Sequence, residues 1–234
     1  MRMRILGVLL ALAVGMFACT ALADSEGAVV QSSCSVIQSG EYYLVYCYAQ
    51  VYNHSSEIIC LEDGRFELHS GEQLLASQEV TQMWPYLINP GENGYIFEVV
   101  SFEPDENGNP VVPQVTGLEF DIRYMTVEAE FASLPLNAQA YIERDARDGI
   151  TVFVELENGT QNDAFDPTVA FALYTDGGAM VYANAMTLRN VGIPAGDGML
   201  IRFPVEDAIA EQWTSYGANI TGVQVSASFR NDAD

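Results

Sequence analysis

Lysine is absent from the chain. All nine basic residues are arginine, against 32 aspartate and glutamate residues in 234 positions. Without lysine, Schiff-base chemistry and the lysine of phosphate-binding loops are excluded. The formal net charge of −23 opposes contact with phosphate backbones, so we expect no nucleic-acid partner. There are only two histidines, His54 and His69, and no pair of closely spaced cysteines, so we expect no metal and no cofactor.

Long apolar runs are also absent beyond the N-terminus. Arg2 and Arg4 precede an apolar stretch over 5–18, and Ala21-Leu22-Ala23 follows as a small-residue cleavage site. This order is typical of a secretory signal peptide, and the apolar stretch is shorter than the ~20 residues that a membrane helix needs. We therefore predict a signal peptide over 1–23 and a secreted or cell-envelope protein. Its removal takes away two arginines and no acid, so the net charge becomes −25.

Cysteines are few, and their number leaves two questions open. Cys19 ends the apolar stretch and is a possible lipidation site, which would place the protein on a membrane face. Cys34 and Cys47 lie symmetrically about the predicted turn at 39–41, so a hairpin would set them opposite each other as a possible disulfide. With Cys60 the count is odd, so one thiol stays free, or all three do. A buried, inert Cys47 is the alternative.

The main organisational feature is an internal repeat with an offset of 105 residues. Matching pairs fall at turns and at the centres of predicted strands, and they include Asn53 and Asn158, Phe66 and Phe171, Leu68 and Leu173, Gly91 and Gly196, and Thr116-Gly117 and Thr221-Gly222. Both copies alternate apolar and polar residues with period two, which is typical of antiparallel strands with one buried face. The repeat therefore predicts two domains with the same plan.

We predict an all-β chain made of two tandem antiparallel β-sandwiches, with domain 1 over 24–126 and domain 2 over 127–234. A short helix over 206–213 is expected because Ile209 and Trp213 lie four residues apart. The predicted strands are 29–37, 42–52, 65–70, 74–82, 94–100 and 117–125 in domain 1, and 134–142, 150–157, 168–174, 179–187, 198–204 and 221–230 in domain 2.

The second repeat resembles the FxLYD domains, which are immunoglobulin-like sandwiches of bacterial and archaeal secreted and envelope proteins. Phe171-Ala172-Leu173-Tyr174 with the Asp176-Gly177 turn carries the resemblance, together with the Asn158 turn and the Pro194-Ala195-Gly196 turn. In the first repeat His69 and Ser70 replace the tyrosine and aspartate of the motif. The resemblance implies an immunoglobulin-like fold and an extracytoplasmic location. It implies no common activity.

A tyrosine row is the candidate binding surface. Tyr46, Tyr48 and Tyr52 alternate with apolar residues and share one face of a strand, and Trp84 and Tyr86 precede a Pro-Gly turn that would extend it. Exposed aromatic rings stack on sugars or dock peptides. Packing of the row against the other domain is the alternative interpretation.

Catalytic and metal signals are weak. Neither histidine lies near a nucleophile motif, so no Ser-His-Asp arrangement is expected. Asp105-Glu106-Asn107-Gly108-Asn109 spaces oxygen ligands like a calcium loop, but Pro110 and Thr116 occupy positions that need glycine and glutamate. We interpret this segment as a solvated turn. The acidic cluster formed by Glu143, Asp145 and Asp148 has the same interpretation.

The sequence therefore predicts a non-catalytic extracellular binding or scaffolding module with an unknown protein or glycan partner at the cell surface. One alternative is a carbohydrate- or peptide-binding protein that uses the tyrosine row. Another is an inhibitor of extracellular proteases that presents the loop 102–113. An uncharacterised hydrolase with paired carboxylates is the third.

Overall fold

The structure is a computed structural model that describes residues 27–128, 133–145 and 149–230. The predicted signal peptide and Cys19 lie outside the described residues, and so do residues 129–132, just after the predicted boundary between 126 and 127. Within the described part the chain forms sixteen strands and one α-helix. The predicted all-β class is confirmed, with several antiparallel sheets. In the same part, no helix has the length and apolarity needed to cross a membrane.

The first half of the chain (27–127) contains two antiparallel sheets. One sheet has the strand order β1-β2-β6-β5 and the other has the order β4-β3-β7. Their bounds are β1 Gly27–Ser39, β2 Tyr42–Asn53, β3 Ile58–Ser70, β4 Gln73–Glu79, β5 Met83–Trp84, β6 Asn93–Phe102 and β7 Gly117–Val127.

The core of the first half lies between these two sheets. Alternation places Val45, Cys47, Ala49 and Val51 of β2 on the inward face, where they meet residues of the other sheet such as Phe66. These side chains are fully buried, and Phe66 stacks on Phe120 with ring centroids 5.7 Å apart. The period-two pattern seen in the sequence is therefore the inward face of each strand.

The second half (133–230) repeats this arrangement with sheets of order β13-β12-β16-β8 and β15-β10-β9, and a short pair β11-β14. Its elements are β8 Ser133–Pro135, β9 Asn137–Arg144, β10 Ile150–Glu157, β11 Ala164–Phe165, β12 Thr168–Thr175, β13 Met180–Thr187, β14 Gly192–Ile193, β15 Gly198–Pro204, α1 Asp207–Ser215 and β16 Ile220–Arg230. The predicted helix is confirmed, with Ile209 and Trp213 buried on one face.

The two halves are equivalent down to individual hydrogen bonds. The buried Asn53 amide donates to the carbonyls of Glu57 and Ile88 at 2.8 and 2.9 Å, and its Oδ1 accepts from the N–H and hydroxyl of Ser55. Asn158, 105 positions later, makes the same four bonds in the second half, at 2.8, 2.9, 3.1 and 2.7 Å. The offset of 105 residues thus relates two matching hydrogen-bond networks.

Candidate functional site

The outer face of the β4-β3-β7 sheet in the first half carries the candidate site. Strand β3 has Phe66 and Leu68 in the core, so alternation turns Arg65, Glu67 and His69 outward. A bulge between Leu61 and Asp63 inserts one extra residue and bends the strand where the face begins. The face is open to solvent, and one end of it forms a concave surface.

That concave surface is an open groove of about 1200 Å³ between the start of β3 and the segment from Glu79 to Tyr86. Two arginines, Arg65 and Arg123, line it together with two aromatic side chains, Trp84 and Tyr86. Six carboxylates also line the groove, contributed by Glu62, Asp63, Glu67, Glu79, Glu119 and Asp121. The acids outnumber the arginines, so the groove is net negative, as the whole chain is.

The two arginines of the groove are in different electrostatic situations. Arg123 forms a two-pronged ion pair with Asp63, in which its Nε donates to Asp63 Oδ1 at 2.7 Å. Hydrogen bonds from Arg123 hold the pKa of the exposed Asp63 carboxyl below its usual value. Arg65 stands opposite Glu79 on one neighbouring strand and opposite Asp121 on the other. It is therefore flanked by two carboxylates on the groove floor.

The aromatic side chains of the groove come from the segment after β4. Tyr86 is 65 % exposed, and it lies close enough to Cys60 to offset in part the rise that burial causes in the pKa of that thiol. Trp84 is half-buried, because it pairs with Tyr95 on β6 and also packs against the core cluster of the second half. One ring is therefore free for contact while the other is fixed, and both lie beside the charged floor.

Two members of the predicted tyrosine row lie elsewhere, and the expectation that they form an exposed surface is wrong. Tyr46 is 9 % exposed and Tyr48 is fully buried, both within a cluster made mainly by the second half. The outer face of β2 packs on the second half, so the apolar rings of the row are removed from water there. Burial, with a smaller effect of the Glu206 carboxylate, raises the pKa of Tyr46.

We call this contact between the halves the seam. On the side of the second half it is formed by Ala170, Ala172 and Tyr174, the face of β12 opposite Phe171, and all three are buried. The Tyr174 hydroxyl donates to Gln50 Oε1 of the first half at 3.0 Å. The tyrosine of the F-x-L-Y motif is therefore a contact residue of the seam.

Three further hydrogen bonds cross the seam. The N–H of Met180 donates to Gln31 Oε1 at 2.9 Å, and the Tyr46 hydroxyl donates to Glu206 Oε2 at 3.3 Å. At the helix, Gln212 Nε2 donates to the carbonyl oxygen of Val36. Together with the buried rings, these bonds attach the two halves directly to each other.

The fifth predicted residue, Tyr52, belongs to neither surface. It is half-buried at the end of β2, and its ring meets the ring of His54 edge-on at a centroid distance of 4.6 Å. The structure therefore divides the five predicted binding residues into a buried pair, Tyr46 and Tyr48, one turn residue, Tyr52, and two groove residues, Trp84 and Tyr86.

The charged floor of the groove was not predicted, although the sequence carries a signal for it. At the repeat offset, Arg65, Glu67 and His69 correspond to Ala170, Ala172 and Tyr174. The same face of the same strand is thus small and aromatic in one copy and charged in the other. Such a difference between repeats indicates that one face is covered and the other is not.

The possible disulfide partners are adjacent in the structure. Cys34 on β1 is the direct partner of Cys47 on β2 in the hairpin register. The thiols of Cys34, Cys47 and Cys60 are free in the structure. The pairing therefore stays a prediction, with its register confirmed.

The segment 105–109, whose spacing resembles a calcium loop, is a turn held by internal hydrogen bonds. The Asp105 carboxylate accepts hydrogen bonds from the N–H groups of Asn107 and Asn109 at 2.9 and 2.8 Å. These bonds, first of all the one from Asn109, lower the pKa of Asp105. Residues 103–116, including most of the predicted inhibitory loop 102–113, connect β6 to β7 without a regular element. Protease inhibition by this loop stays a prediction.

The two histidines lie outside the groove. His69 Nε2 lies 3.4 Å from Glu67 Oε2 on the sheet face, and His54 contacts Tyr52; neither histidine lines the groove. Across residues 27–128, 133–145 and 149–230 there is no group of three or more metal-ligating side chains placed to hold an ion.

Comparison with known proteins gives no family. No protein-family model matches the chain. No curated protein matches it either. Among solved structures, a β-glucuronidase from glycoside hydrolase family 2 aligns with 12 % identity and a TM-score of 0.20, over 81 % of this chain and 20 % of that one. The chain thus spans about a fifth of that enzyme's length, and a TM-score at this level carries no argument about function.

Proposed function

We propose that the protein is an exported, non-catalytic binding protein made of two tandem immunoglobulin-like sandwich domains, and that its first domain holds a lysine- or arginine-bearing segment of a partner protein in the groove beside β3. The domains are 24–126 and 127–234, after a signal peptide over 1–23. The observation that carries the proposal is the groove itself, where two aromatic rings stand beside an excess of carboxylates.

The charge of the groove favours a cationic partner. Six carboxylates face two guanidinium groups, and one of these, Arg123, is already paired with Asp63. Basic side chains gain hydrogen bonds to carboxylates and contacts with aromatic faces in such a setting. A phosphate or another polyanion would instead meet like charge.

The equivalence of the two halves supports the choice of this face. In the second half the corresponding face of β12 is covered by the first half, through Ala170, Ala172 and Tyr174. The face is thus one on which this fold accepts another polypeptide. In the first half it is uncovered and carries charge, so it is available to a partner outside the chain.

The tandem immunoglobulin-like interpretation is supported by the sheet orders and by the matching bonds of Asn53 and Asn158. The resemblance of Phe171-Ala172-Leu173-Tyr174 to the FxLYD motif agrees with an extracytoplasmic location. A lipid anchor at Cys19 is the alternative to free secretion, and it would bring the groove to a membrane face.

Binding to basic peptides tests the proposal. The full chain is immobilised and exposed to an array of 12-residue peptides with two to four lysines or arginines, next to the same peptides with glutamate in their place and to a glycan array. We expect binding of basic peptides only. Since the attraction is between charges, affinity should fall as salt rises from 0.05 to 0.5 M, at about the rate expected for exposed ion pairs.

Variants locate the site. Tyr86→Ala should weaken peptide binding about tenfold or more, as loss of an exposed aromatic contact residue does. Tyr42→Ala is the matched control, because Tyr42 is 42 % exposed and does not line the groove. Equal losses in both variants would contradict the site. Binding only to glycans would contradict the peptide ligand, and binding to neither array would contradict the proposed function.

A further inference from the structure

We propose that Cys34 and Cys47 become joined by a disulfide when the protein folds in an oxidising compartment, and that this bond clamps the β1–β2 hairpin on which the seam is built. The inference concerns a covalent modification site and does not depend on the ligand of the groove.

The register of the hairpin supplies the geometry. Cys34 and Cys47 are direct partners across the antiparallel pair, between the partner pairs Ser33–Tyr48 and Ser35–Tyr46. Directly opposed residues of such a pair have Cα atoms about 4.5 to 5.5 Å apart, which falls inside the range of about 4.4 to 6.8 Å found for disulfides. No backbone movement is needed to bring the two residues together.

Both side chains also point to the same side. Val36 and Val45, the next partner pair on that face, lie in the core cluster of the first half, as does Cys47, and Cys34 packs against this cluster. The neighbouring Cys34 also contributes to the raised pKa of the Cys47 thiol, after burial, which is the main cause.

Cys60 does not compete for either thiol. It lies on β3, in the other sheet, where its partner across the strand pair is Met125. It belongs to a separate small cluster with Ile58 and Leu87. Among the three described cysteines, the structure therefore assigns one pair and one single thiol.

The chemistry is thiol–disulfide exchange with a disulfide donor such as oxidised glutathione. One thiolate attacks a sulfur of the donor and releases one reduced thiol, which leaves a mixed disulfide. The second thiolate then displaces the remaining donor thiol and closes the Cys34–Cys47 bond. In total, two protein thiols lose two protons and two electrons, and the donor is reduced to two thiols.

Burial sets the time at which the exchange occurs. In the folded protein, burial raises the pKa of Cys34 to about 11 and holds that of Cys47 well above its ordinary value. Few thiolates then exist at neutral pH, so oxidation of the folded dithiol is slow. Once the bond has formed, its sulfurs lie against the core of the first half, where the thiolate of a reductant reaches them slowly. The bond therefore forms while the hairpin is still exposed, and it resists reduction afterwards.

The opposite face of the hairpin links the proposed disulfide to the seam. The seam-facing side chains of β2, Tyr46 and Tyr48, flank Cys47 in the sequence, and Gln31 and Val36 of β1 make two of the hydrogen bonds to the second half. A covalent tie between the two strands keeps these groups in register.

Peptide mapping tests the inference. The full chain is refolded with oxidised and reduced glutathione, blocked with N-ethylmaleimide in denaturant, and cleaved after glutamate. Cleavage after Glu26, Glu41 and Glu57 places each cysteine on its own fragment, with Cys34 on 27–41, Cys47 on 42–57 and Cys60 on 58–62. We expect fragments 27–41 and 42–57 to be linked until a reductant is added, and fragment 58–62 to carry the blocking group.

Three results overturn the inference: full blocking of both fragments, a link from either one to fragment 58–62, or loss of the link in Cys60→Ser. The matched variants are Cys34→Ser, which should abolish the link, and Cys60→Ser, which should keep it. Reduction before heating should lower the Tm of the Cys60→Ser protein by roughly 10 °C, as a disulfide that closes a loop of this length predicts, and should leave Cys34→Ser unchanged. An unchanged Tm in both variants would exclude the clamp.

Discussion

At the scale of single residues, two buried asparagines organise the turns of both halves. Asn158 is fully buried, and its amide spans three segments, because it donates to the carbonyls of Asn162 and Ile193 and accepts from Thr160. The Thr160 hydroxyl also bonds to the carbonyl of Asn162. The Asn-x-Ser/Thr pattern, which also fits a glycosylation site, is here the signature of an internal bond network.

Replacement of Asn158 should lower the stability of the second half. Asn158→Ala removes four hydrogen bonds and leaves the buried carbonyl of Ile193 without its amide donor, so we expect a loss of about 3 kcal/mol in the free energy of unfolding. Urea denaturation followed by circular dichroism measures it, and Asn53→Ala should behave alike in the first half.

Asn162→Ala is the control for this network. Asn162 is exposed and takes part through its backbone carbonyl, which the substitution keeps. Its stability should stay within about 0.5 kcal/mol of the wild type. Equal effects of Asn158→Ala and Asn162→Ala would show that the buried amide is not what holds the turn.

At the scale of elements, helix α1 contacts both halves of the chain. Ile209, Ala210 and Trp213 are buried on one face, and the Trp213 ring meets Tyr182 edge-on at 5.8 Å. On the other side, Gln212 donates to Val36 of β1. The helix therefore depends on tertiary contacts, since nine residues are too few for stability in isolation.

Truncation of the helix anchor should loosen the second half. Trp213→Ala removes a large buried ring, so we expect a loss of about 3 to 5 kcal/mol, measured by chemical denaturation. The exposed Glu211→Ala on the same helix should cost less than about 0.5 kcal/mol. Similar losses in the two variants would mean that the helix contributes through its own stability and not through its anchor.

The bounds of a strand could be predicted where the alternation of apolar and polar residues was unbroken. The alternation of Val45, Cys47, Ala49 and Val51 predicted β2 almost to its ends. The first part of β3 was missed, because the bulge between Leu61 and Asp63 adds a residue and interrupts the alternation.

The site was only partly predictable, for a different reason. Alternation shows which residues share a face, but not whether water or another sheet covers that face. Tyr46 and Tyr48 were thus correctly assigned to one face and wrongly assigned to the surface. Trp84 and Tyr86 are in the groove, but apart from Glu79 their charged neighbours come from β3 and β7, which are distant in sequence.

At the scale of the whole molecule, the seam is a packed apolar contact between the two halves. The core cluster of the second half extends without a break into Ile37, Tyr46, Tyr48 and Tyr95 of the first. An interface with buried aromatic rings and four cross-seam hydrogen bonds favours restricted motion between the halves.

A substitution that opens the seam should make the two halves unfold in separate transitions. Ala172 is fully buried on the seam face of β12, so Ala172→Arg would force a long charged side chain between the sheets. We expect one calorimetric transition in the wild type and two in Ala172→Arg. The radius of gyration measured by X-ray scattering should increase as the halves separate.

The repeat offers a matched control for this substitution. Glu67 occupies the position equivalent to Ala172 in the first half, but on the open face. Glu67→Arg should keep a single transition, with a stability within about 0.5 kcal/mol of the wild type. If Ala172→Arg also keeps one transition and an unchanged radius, the seam does not couple the halves.

The seam joins two unlike surfaces, and this has a consequence for assembly. A contact of this head-to-tail kind does not close on itself, and its repeated use would generate an open filament. The molecule uses the contact once and leaves a vacant receiving face on the first half. A second copy that approached this face would carry the same large negative charge and would meet six carboxylates where the internal contact offers alanines. The acidic floor of the groove therefore opposes a repeat of the seam contact by a second copy.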